Sequence, residues 1–433
     1  MENDLLKEEI NIQKINIKEK NQEATLYYTY TDKFKTFSCG CIFFENLEQE
    51  SRVRYELLAE MLDRTTKKHP KESEFIEYLY DLYDLSYTVS SSRLALVNTI
   101  NFKISSVHSQ YLHDDIDLLE EGVKILKEGI FEPNFDELIF NESKHLWIED
   151  LKNMHNNKRI YAYLEFVKAM HKGEKYYECM ITNPKIVEEM SFEKVKDTYN
   201  DFLKLPHIYY YVGEEKLDRV VEMLSNFDFP KSEMKNLEVI DKETKENLTE
   251  NSVVQEIDAN QSILNIGYRT NIYIDSDEYS AMHLLNLMIG GFAHSDLFQV
   301  IREQYGLSYT VSSNYNPRKG IMTINCGIDE DKYELATKLI KEIIENYKNG
   351  NISNENLELT KKSVISAIKL NLDSIGYYIT SSLNYEFRKT FHTCKQKIED
   401  IEKVTLEDIK KAALTLNIDT IHFMKGKNNG KVC

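Results

Sequence analysis

The sequence predicts an α+β fold made of two homologous domains, and an internal repeat is the main reason. The segment LSYTVSS at residues 85–91 recurs letter for letter at 307–313, an offset of 307 − 85 = 222. A second pair, TINFKI at 99–104 and TINCGI at 323–328, has an offset of 323 − 99 = 224. Two matches at nearly the same offset fit chance poorly, so we infer a duplication of one domain of roughly 200 residues.

Length and charge set the protein class. At 433 residues the chain is too long for one ordinary core and suits two. Its net charge of −18 repels phosphate backbones and anionic lipid, so nucleic acid and membrane surfaces are not expected partners. Residues 1–4 are acidic and lack the features of a signal peptide, and the six cysteines show no C-x-x-C pattern. We therefore expect a reduced, cytoplasmic protein.

In the first half, the spacing of apolar residues predicts strands and helices in blocks. Residues 1–21 are charged and aperiodic, which predicts a loose lead-in. Alternation of Phe37, Cys39, Cys41 and Phe43 predicts a half-buried strand. The predicted strands are 25–31, 36–44, 85–91, 97–104 and 208–212. The predicted helices are 52–64, 73–82, 114–127 (stopped by Gly129), 134–156 and one opening at Ser191.

The second half repeats this mixture after a linker. Residues 225–250 are charged and contain Pro230, so we take them as the linker between domains at 1–224 and 251–433. A strand is predicted at 255–270, and the repeated strand begins at 307. Helices are predicted at 277–289, 295–304, 330–349, 355–370 and within 373–388. The last helix should open with a capping box of Thr405 and Asp408 and lead to a strand at 420–424. Strands and helices in blocks are typical of an α+β fold.

The first helix carries the resemblance to a known family. ELLAEML at residues 56–62 resembles the zinc-site helix of the insulinase/pitrilysin-type metallopeptidases, whose pattern is H-x-x-E-H. In that pattern the two histidines bind zinc and the glutamate activates the zinc-bound water. Here the three positions are Glu56, Ala59 and Glu60, so both histidines are replaced and alanine cannot accept a proton. The resemblance therefore implies a non-catalytic member with no metal of its own.

Other family segments follow in order along nearly the whole chain. Glu142 and Glu149 match the family's E-x-x-x-x-x-x-E pattern, which implies that Glu149 stands at the third ligand position and Glu142 at its supporting carboxylate. The segment 302–309 (REQYGLSY) resembles the family's R-x-x-x-G-L-x-Y pattern. By that resemblance, Arg302 and Tyr309 would bind substrate. The family fold further implies two halves that close like a clam shell.

Ordinary structural explanations stay open for these residues. Arg52, Glu56, Glu60 and Arg64 recur at i+4 steps, which also describes a solvated ion-pair face. Three carboxylates from Glu56, Glu60 and Glu149 would suit Mg²⁺, Mn²⁺ or Ca²⁺ better than zinc. Tyr309 has a counterpart in Tyr87, so it is also a candidate structural tyrosine. Arg302 has no basic counterpart, because Tyr80 stands 222 positions earlier.

The resemblance yields one functional hypothesis and two alternatives. Family members often work as pairs of one zinc-bearing and one degenerate subunit. We therefore expect this chain to pair with an H-x-x-E-H zinc peptidase, which supplies the zinc, and to help bind its peptide substrate as an added strand. The alternatives are an autonomous carboxylate-metal hydrolase and a scaffold without a role in proteolysis; self-association is open as well. The segment 79–83 (LYDLY), the replaced zinc-site helix and the chain length also resemble those of the YmfF-type proteins. These proteins are associated with aminopentanol modification of elongation factor P, for which the sequence offers no residue-level mechanism.

Overall fold

The chain folds into two compact units in a computed structural model that describes residues 11–232, 237–243, 249–388 and 392–427. Unit 1 comprises Met1–Leu151, Thr182–Val239 and Leu370–Thr393. Unit 2 comprises Lys152–Ile181, Ile240–Lys369 and Cys394–Cys433. Each unit therefore takes one segment from the opposite half of the sequence.

The first half of the chain supplies six strands and nine helices among the described residues. The strands are β1 (Gln13–Lys18), β2 (Glu23–Tyr30), β3 (Thr36–Asn46), β4 (Ser86–Leu94), β5 (Val97–Val107) and β6 (His207–Gly213). The helices are α1 (Gln49–Arg64), α2 (Glu72–Asp81), α3 (Leu118–Phe131), α4 (Glu137–Asn153), α5 (Lys158–Met170), α6 (Lys175–Met180), α7 (Pro184–Glu189), α8 (Phe192–Phe202) and α9 (Leu217–Ser225).

The second half supplies the rest. Its strands are β7 (Asn251–Ile257), β8 (Ser262–Arg269), β9 (Ser308–Asn316), β10 (Ile321–Ile328) and β11 (Asn417–Gly426). Its helices are α10 (Tyr279–Gly290), α11 (Tyr333–Lys348), α12 (Asn354–Asn371), α13 (Ile375–Arg388), α14 (Cys394–Lys403) and α15 (Leu406–Leu414), and a π-helix spans Phe298–Gln304. The capping box of Thr405 and Asp408 opens α15 as predicted.

The two sheets share the order and direction of five strands, as a duplication predicts, and the sheet of unit 1 has β1 in addition. The sheet of unit 1 has the order β1-β2-β6-β3-β5-β4, and that of unit 2 has the order β7-β11-β8-β10-β9. In each, a single parallel pair (β2 with β6, β7 with β11) stands among antiparallel pairs, and the repeated segments form the hairpins β4–β5 and β9–β10 at one end. The predicted α+β class is confirmed.

Each sheet carries its own hydrophobic core. In unit 1 the central strand β3 is buried on both faces, because Ser38, Gly40 and Ile42 are as enclosed as the cysteines between them. The expectation of a half-buried strand was therefore wrong. At Gly40 an added Cβ would lie 2.3 Å from the carbonyl oxygen of Phe102, so only glycine fits that close approach.

A buried ionic cluster holds the segment 152–181 to the sheet of unit 2. The guanidinium of Arg269 on β8 binds both Glu174, which precedes α6, and Asp419 on β11, with 2.6 Å between Arg269 Nε and Asp419 Oδ2. The Nζ of Lys319 lies 3.0 Å from Glu174 Oε2 and 2.8 Å from Asp241 Oδ2. All five side chains are at most 6% exposed. Such charges are stable in a protein interior only when they are paired, as here.

Several elements differ from the sequence predictions. The expected loose lead-in contains β1, an edge strand paired with β2. The single strand expected at 255–270 is two strands, β7 and β8. Helix α3 runs through Gly129 to Phe131, because packing outweighs the weak helix propensity of glycine. The domain boundaries at 1–224 and 251–433 describe the duplicated halves of the sequence and stay a prediction, whereas the compact units exchange α5, α6 and α13.

Candidate functional site: the degenerate metal-site helix

Helix α1 forms where the sequence predicts it and carries the candidate site. The backbone N–H of Glu48 donates to the hydroxyl of Ser51 (3.1 Å), which fixes the first turn. Apolar residues at i, i+4 and i+8 spacing then point into the core of unit 1, among them Val53, Leu57 and Met61. The polar face left over carries Glu56 and Glu60.

The three positions that correspond to H-x-x-E-H do not form a metal site. Ala59 is 3% exposed and offers no donor or base. Glu60 is exposed, whereas Glu56 is half-buried against the sheet beside Ser91 of β4. Burial raises the pKa of Glu56 above its usual value, and a hydrogen bond to Ser91 and the charge of Arg52 oppose that shift in part. Glu56 is thus a partly desolvated carboxylate held by polar neighbours.

The carboxylates of α4 do not complete a ligand set either. Glu142, expected to support the third ligand, instead accepts a hydrogen bond from Arg64 at the end of α1 (Nη1 to Oε2, 2.8 Å). The same guanidinium binds Glu72 with two hydrogen bonds of 2.8 and 2.6 Å. Hydrogen bonding to Arg64 lowers the pKa of Glu72. Glu142 therefore belongs to an ion pair that joins α1, α2 and α4.

Zinc does not fit the residues of this helix. Glu149 lies half-buried on α4, but within the described ranges no group of three His, Cys, Asp or Glu side chains is placed to hold a metal ion. That finding covers Glu56, Glu60 and Glu149, so the carboxylate-metal alternative lacks the donor arrangement it needs.

The candidate substrate-binding pair lies in unit 2. Arg302 sits on the π-helix, where its guanidinium stacks 4.5 Å from the ring centre of Phe298 and pairs weakly with Glu303 (3.5 Å). Its side chain is 43% exposed, so it is accessible to a ligand. Gly306 then turns the chain into β9 with a φ of +59°, a conformation that favours glycine. Tyr309 lies on β9, and its side chain is outside the described residues.

Sequence reasoning missed Asp63, a second perturbed carboxylate on α1. Burial raises the pKa of Asp63 to about 6, although the backbone N–H of Val89 donates to it. The i+4 pattern that drew attention to Glu56 and Glu60 passes over Asp63, because Asp63 faces β4 instead of solvent. The available signal was a carboxylate directly after the core residues Met61 and Leu62.

Comparisons with known proteins support the family resemblance. A family model described as "Peptidase M16 inactive domain" matches residues 189–364. The probable inactive metalloprotease YmfF of Bacillus subtilis (strain 168) is 29% identical over 423 residues, which cover 95% of this chain and 97% of that protein. The non-peptidase homolog YmxG of Helicobacter pylori is 23% identical over 325 residues, covering 72% of this chain and 73% of that one.

The chain resembles the M16 peptidase family. This is the insulinase/pitrilysin-type family inferred from residues 56–62, so the resemblance is confirmed. The chain is an inactive peptidase homologue: the names of these relatives agree with its two replaced histidines and its missing base.

Solved structures agree with the fold of this chain. A conserved protein from Enterococcus faecalis V583 superposes with a TM-score of 0.89 at 24% identity, covering 97% of this chain and 100% of that one. A protease from Helicobacter pylori superposes with a TM-score of 0.79 at 15% identity, covering 96% and 100%. No helix among the described residues is both long and apolar enough to cross a membrane.

Proposed function

We propose that this chain is the non-catalytic subunit of a peptidase. It pairs in the cytoplasm with a separate zinc subunit that carries the H-x-x-E-H pattern, and it helps to bind the peptide that the zinc subunit cleaves. One observation carries the proposal: the two halves have diverged unequally. Unit 1 has lost the metal ligands and the base at Glu56, Ala59 and Glu60, whereas unit 2 keeps the arginine and tyrosine of the family's substrate-binding segment.

The accessibility of Arg302 supports this role. An exposed guanidinium backed by the ring of Phe298 is preorganised to bind a carbonyl or carboxylate of a peptide. Its pairing with Glu303 at 3.5 Å is a surface interaction worth little, so a ligand can displace it. The zinc, the base and the bond-breaking step belong to the partner, and this chain positions the substrate.

Sheet edges support peptide binding as an added strand. Strands β4 and β9 are terminal strands of their sheets, and each presents one row of backbone groups outward. A peptide in extended conformation gains main-chain hydrogen bonds at such an edge, with little dependence on its sequence.

The test is reconstitution with the H-x-x-E-H paralogue of the same genome. The purified chain alone should contain no stoichiometric zinc and cleave no peptide, and cleavage should appear on mixing. Arg302→Ala should then lower the activity of the mixture about 100-fold without changing its zinc content. Lys338→Ala, a cation on α11 whose side chain is 71% exposed, is the matched control and should have no effect.

Two outcomes would replace this proposal. Peptide cleavage by the chain alone, with bound metal, would show an autonomous hydrolase. A complex whose activity is indifferent to Arg302→Ala would favour a scaffold, a reading consistent with the contacts that Arg302 makes within unit 2.

A further inference from the structure

The two homologous sheets differ at one end. In unit 1 the strand that runs parallel to its neighbour, β2, is flanked on its outer side by β1. In unit 2 the corresponding strand, β7, is the terminal strand, and no described residue pairs with its outer edge. The duplication therefore marks a strand position that unit 1 fills and that the described residues of unit 2 leave open.

Residue-by-residue correspondence follows from the registers of the two sheets. The two sheets are matched at Asn101 and Asn325, the asparagine that both copies of the second repeat contain. From there, each next residue is the partner of the previous one on the neighbouring strand. The successive residues are Asn101, Ile42, Ile208 and Thr25 in unit 1, and Asn325, Asn265, His422 and Val253 in unit 2. Thr25 thus corresponds to Val253, an offset of 253 − 25 = 228, and Leu26 corresponds to Val254.

Exposure at the corresponding positions differs sharply. Leu26 lies opposite Ile15 of β1 and is 0% exposed. Val254 is 58% exposed. An apolar residue opposite Val254 would cover part of its side chain, in the place that Ile15 takes opposite Leu26.

The segment of unit 2 that corresponds to β1 by sequence starts at a position away from β7. By the same offset, β1 corresponds to residues 241–246, of which 241–243 are described. The N–H of Asp241 donates to the carbonyl of Arg318 (2.8 Å), and its carboxylate binds Lys319. Both partners belong to the turn between β9 and β10, at the opposite end of the sheet, roughly 15–20 Å away by strand spacing. Asp241 is therefore not beside β7.

The direction of the free backbone groups can be read from one hydrogen bond. The carbonyl of Ile257 accepts from the N–H of Lys427 (2.9 Å), which continues β11. Ile257 therefore faces β11, and by alternation Ser252, Val254 and Glu256 direct their N–H and C=O groups outward. These three residues offer six backbone groups to an added strand.

The chemistry of the occupant follows from β1 and from the charges around β7. Strand β1 (QKINIK) alternates lysines with the apolar residues that pack on the sheet. Three carboxylates lie on or next to β7, those of Glu250, Glu256 and Asp258. The first two pair with Lys341 and Lys427, but these pairs are more than a third exposed and exchange readily with another cation. Because each chain has a net charge of −18, electrostatic repulsion disfavours binding of a second copy of this chain at β7.

We propose that the outer edge of β7 binds an extended segment of another polypeptide, with alternating apolar and lysine residues, as an antiparallel sixth strand. The site lies within unit 2 and is independent of pairing with a zinc subunit, so it can exist whether or not the proposed function holds.

A blocked peptide of sequence QKINIK, labelled with a fluorophore, is the probe for the full-length chain. Fluorescence anisotropy should show saturable binding, and the charge-reversed peptide QEINIE should bind at least tenfold more weakly. Val254→Pro removes an outward N–H without touching the bonds to β11, so it should weaken binding at least tenfold. Val254→Thr keeps the N–H and should change affinity less than about threefold. Thermal unfolding would verify that both variants are folded.

Hydrogen exchange locates the bound peptide. The amides of Ser252, Val254 and Glu256 should gain protection, while those of residues 13–30 should not change. Absence of binding up to millimolar peptide, equal binding of both peptides, or binding that survives Val254→Pro in the folded variant would each overturn the proposal. Dimerisation of the chain that Val254→Pro abolishes would assign the edge to a second copy and also overturn it.

Discussion

Replacing Arg269 by methionine should destabilise unit 2 strongly, because it strands two buried carboxylates. Methionine keeps much of the length and apolar volume but removes the charge that Glu174 and Asp419 share. Burial alone would raise the pKa of Glu174, yet hydrogen bonds from His171 and Arg269 hold it well below its usual range. The carboxylate is therefore ionised at neutral pH and depends on its cations.

The expected cost can be worked from burial. Removing one partner of a buried ion pair costs about 3–5 kcal/mol. For a unit of roughly 200 residues, that corresponds to a fall in Tm of roughly 6–20 °C. Because Lys319 still pairs with Glu174 in the variant, we expect the loss of unfolding free energy to lie towards the lower end of this range.

Arg219 provides a matched control. It also binds two carboxylates, Asp117 and Glu215, but its side chain is 38% exposed, against 6% for Arg269. Arg219→Met should therefore cost no more than about 1 kcal/mol.

The assay is calorimetric unfolding with hydrogen exchange to locate the change. Arg269→Met should increase exchange in β8, β10 and β11. The triple variant Arg269→Met/Glu174→Gln/Asp419→Asn should recover part of the loss, because it removes the stranded charges as well. Equal costs for Arg269→Met and Arg219→Met would refute the argument that burial sets the worth of these ion pairs.

Three further predictions concern single residues. Burial lowers the pKa of His422 from 6.5 to about 4, so on acidification the unfolded state takes up this proton before the folded state does. The contribution of His422 to the free energy of unfolding is therefore complete well above pH 6.5, and about 2 kcal/mol of it is lost by pH 5. His422→Asn should abolish this loss in pH-dependent denaturation. Burial raises the pKa of Asp63 from 3.8 to about 6, so the charged form of this side chain destabilises the fold at neutral pH. Asp63→Asn should therefore raise the free energy of unfolding by about 1–3 kcal/mol at pH 7.5, and by under about 1 kcal/mol at pH 4, where Asp63 is largely protonated. Urea titrations at the two pH values measure the difference. Gly306→Ala should cost roughly 1 kcal/mol through its left-handed φ, since no atom lies within 4 Å of the added methyl group.

Each of these has a control or a contradicting result. His145 is exposed, so His145→Gln should leave the acid sensitivity intact. For Asp63, a gain of equal size at both pH values would show that something other than ionisation is responsible. Gly376 lies in α13 with room for a methyl group, so Gly376→Ala should stabilise slightly while Gly306→Ala destabilises.

The sequence predicted most of what depends on local pattern. The strands around residues 85–104 and 307–328 repeat in sequence, so their matching places in the two sheets could be expected. Helix α1 and the replaced positions on it could also be predicted, because the metal-binding pattern of such a helix depends only on residues that are three and four positions apart. The inactive family assignment followed from those same residues.

What the sequence did not predict depends on distant pairing. Glu174, Asp241, Arg269, Lys319 and Asp419 form one cluster, yet 245 positions separate the first from the last, and none stands in a motif. Strand β1 was missed because alternating Ile15 and Ile17 lie among charged residues, a pattern that an edge strand shares with a loop. The partner that Glu142 takes, Arg64, was visible only as part of an i+4 series.

The exchange of segments between units has a consequence during synthesis. Unit 1 includes Leu370–Thr393, which the ribosome makes after most of unit 2. At 5–20 residues per second, the body of unit 1 therefore waits roughly 8–30 s for α13 to arrive, with the surface that α13 will cover exposed in the meantime. Expression of residues 1–224 alone would make that waiting state permanent, so the halves defined by the duplication are poor choices for separate production.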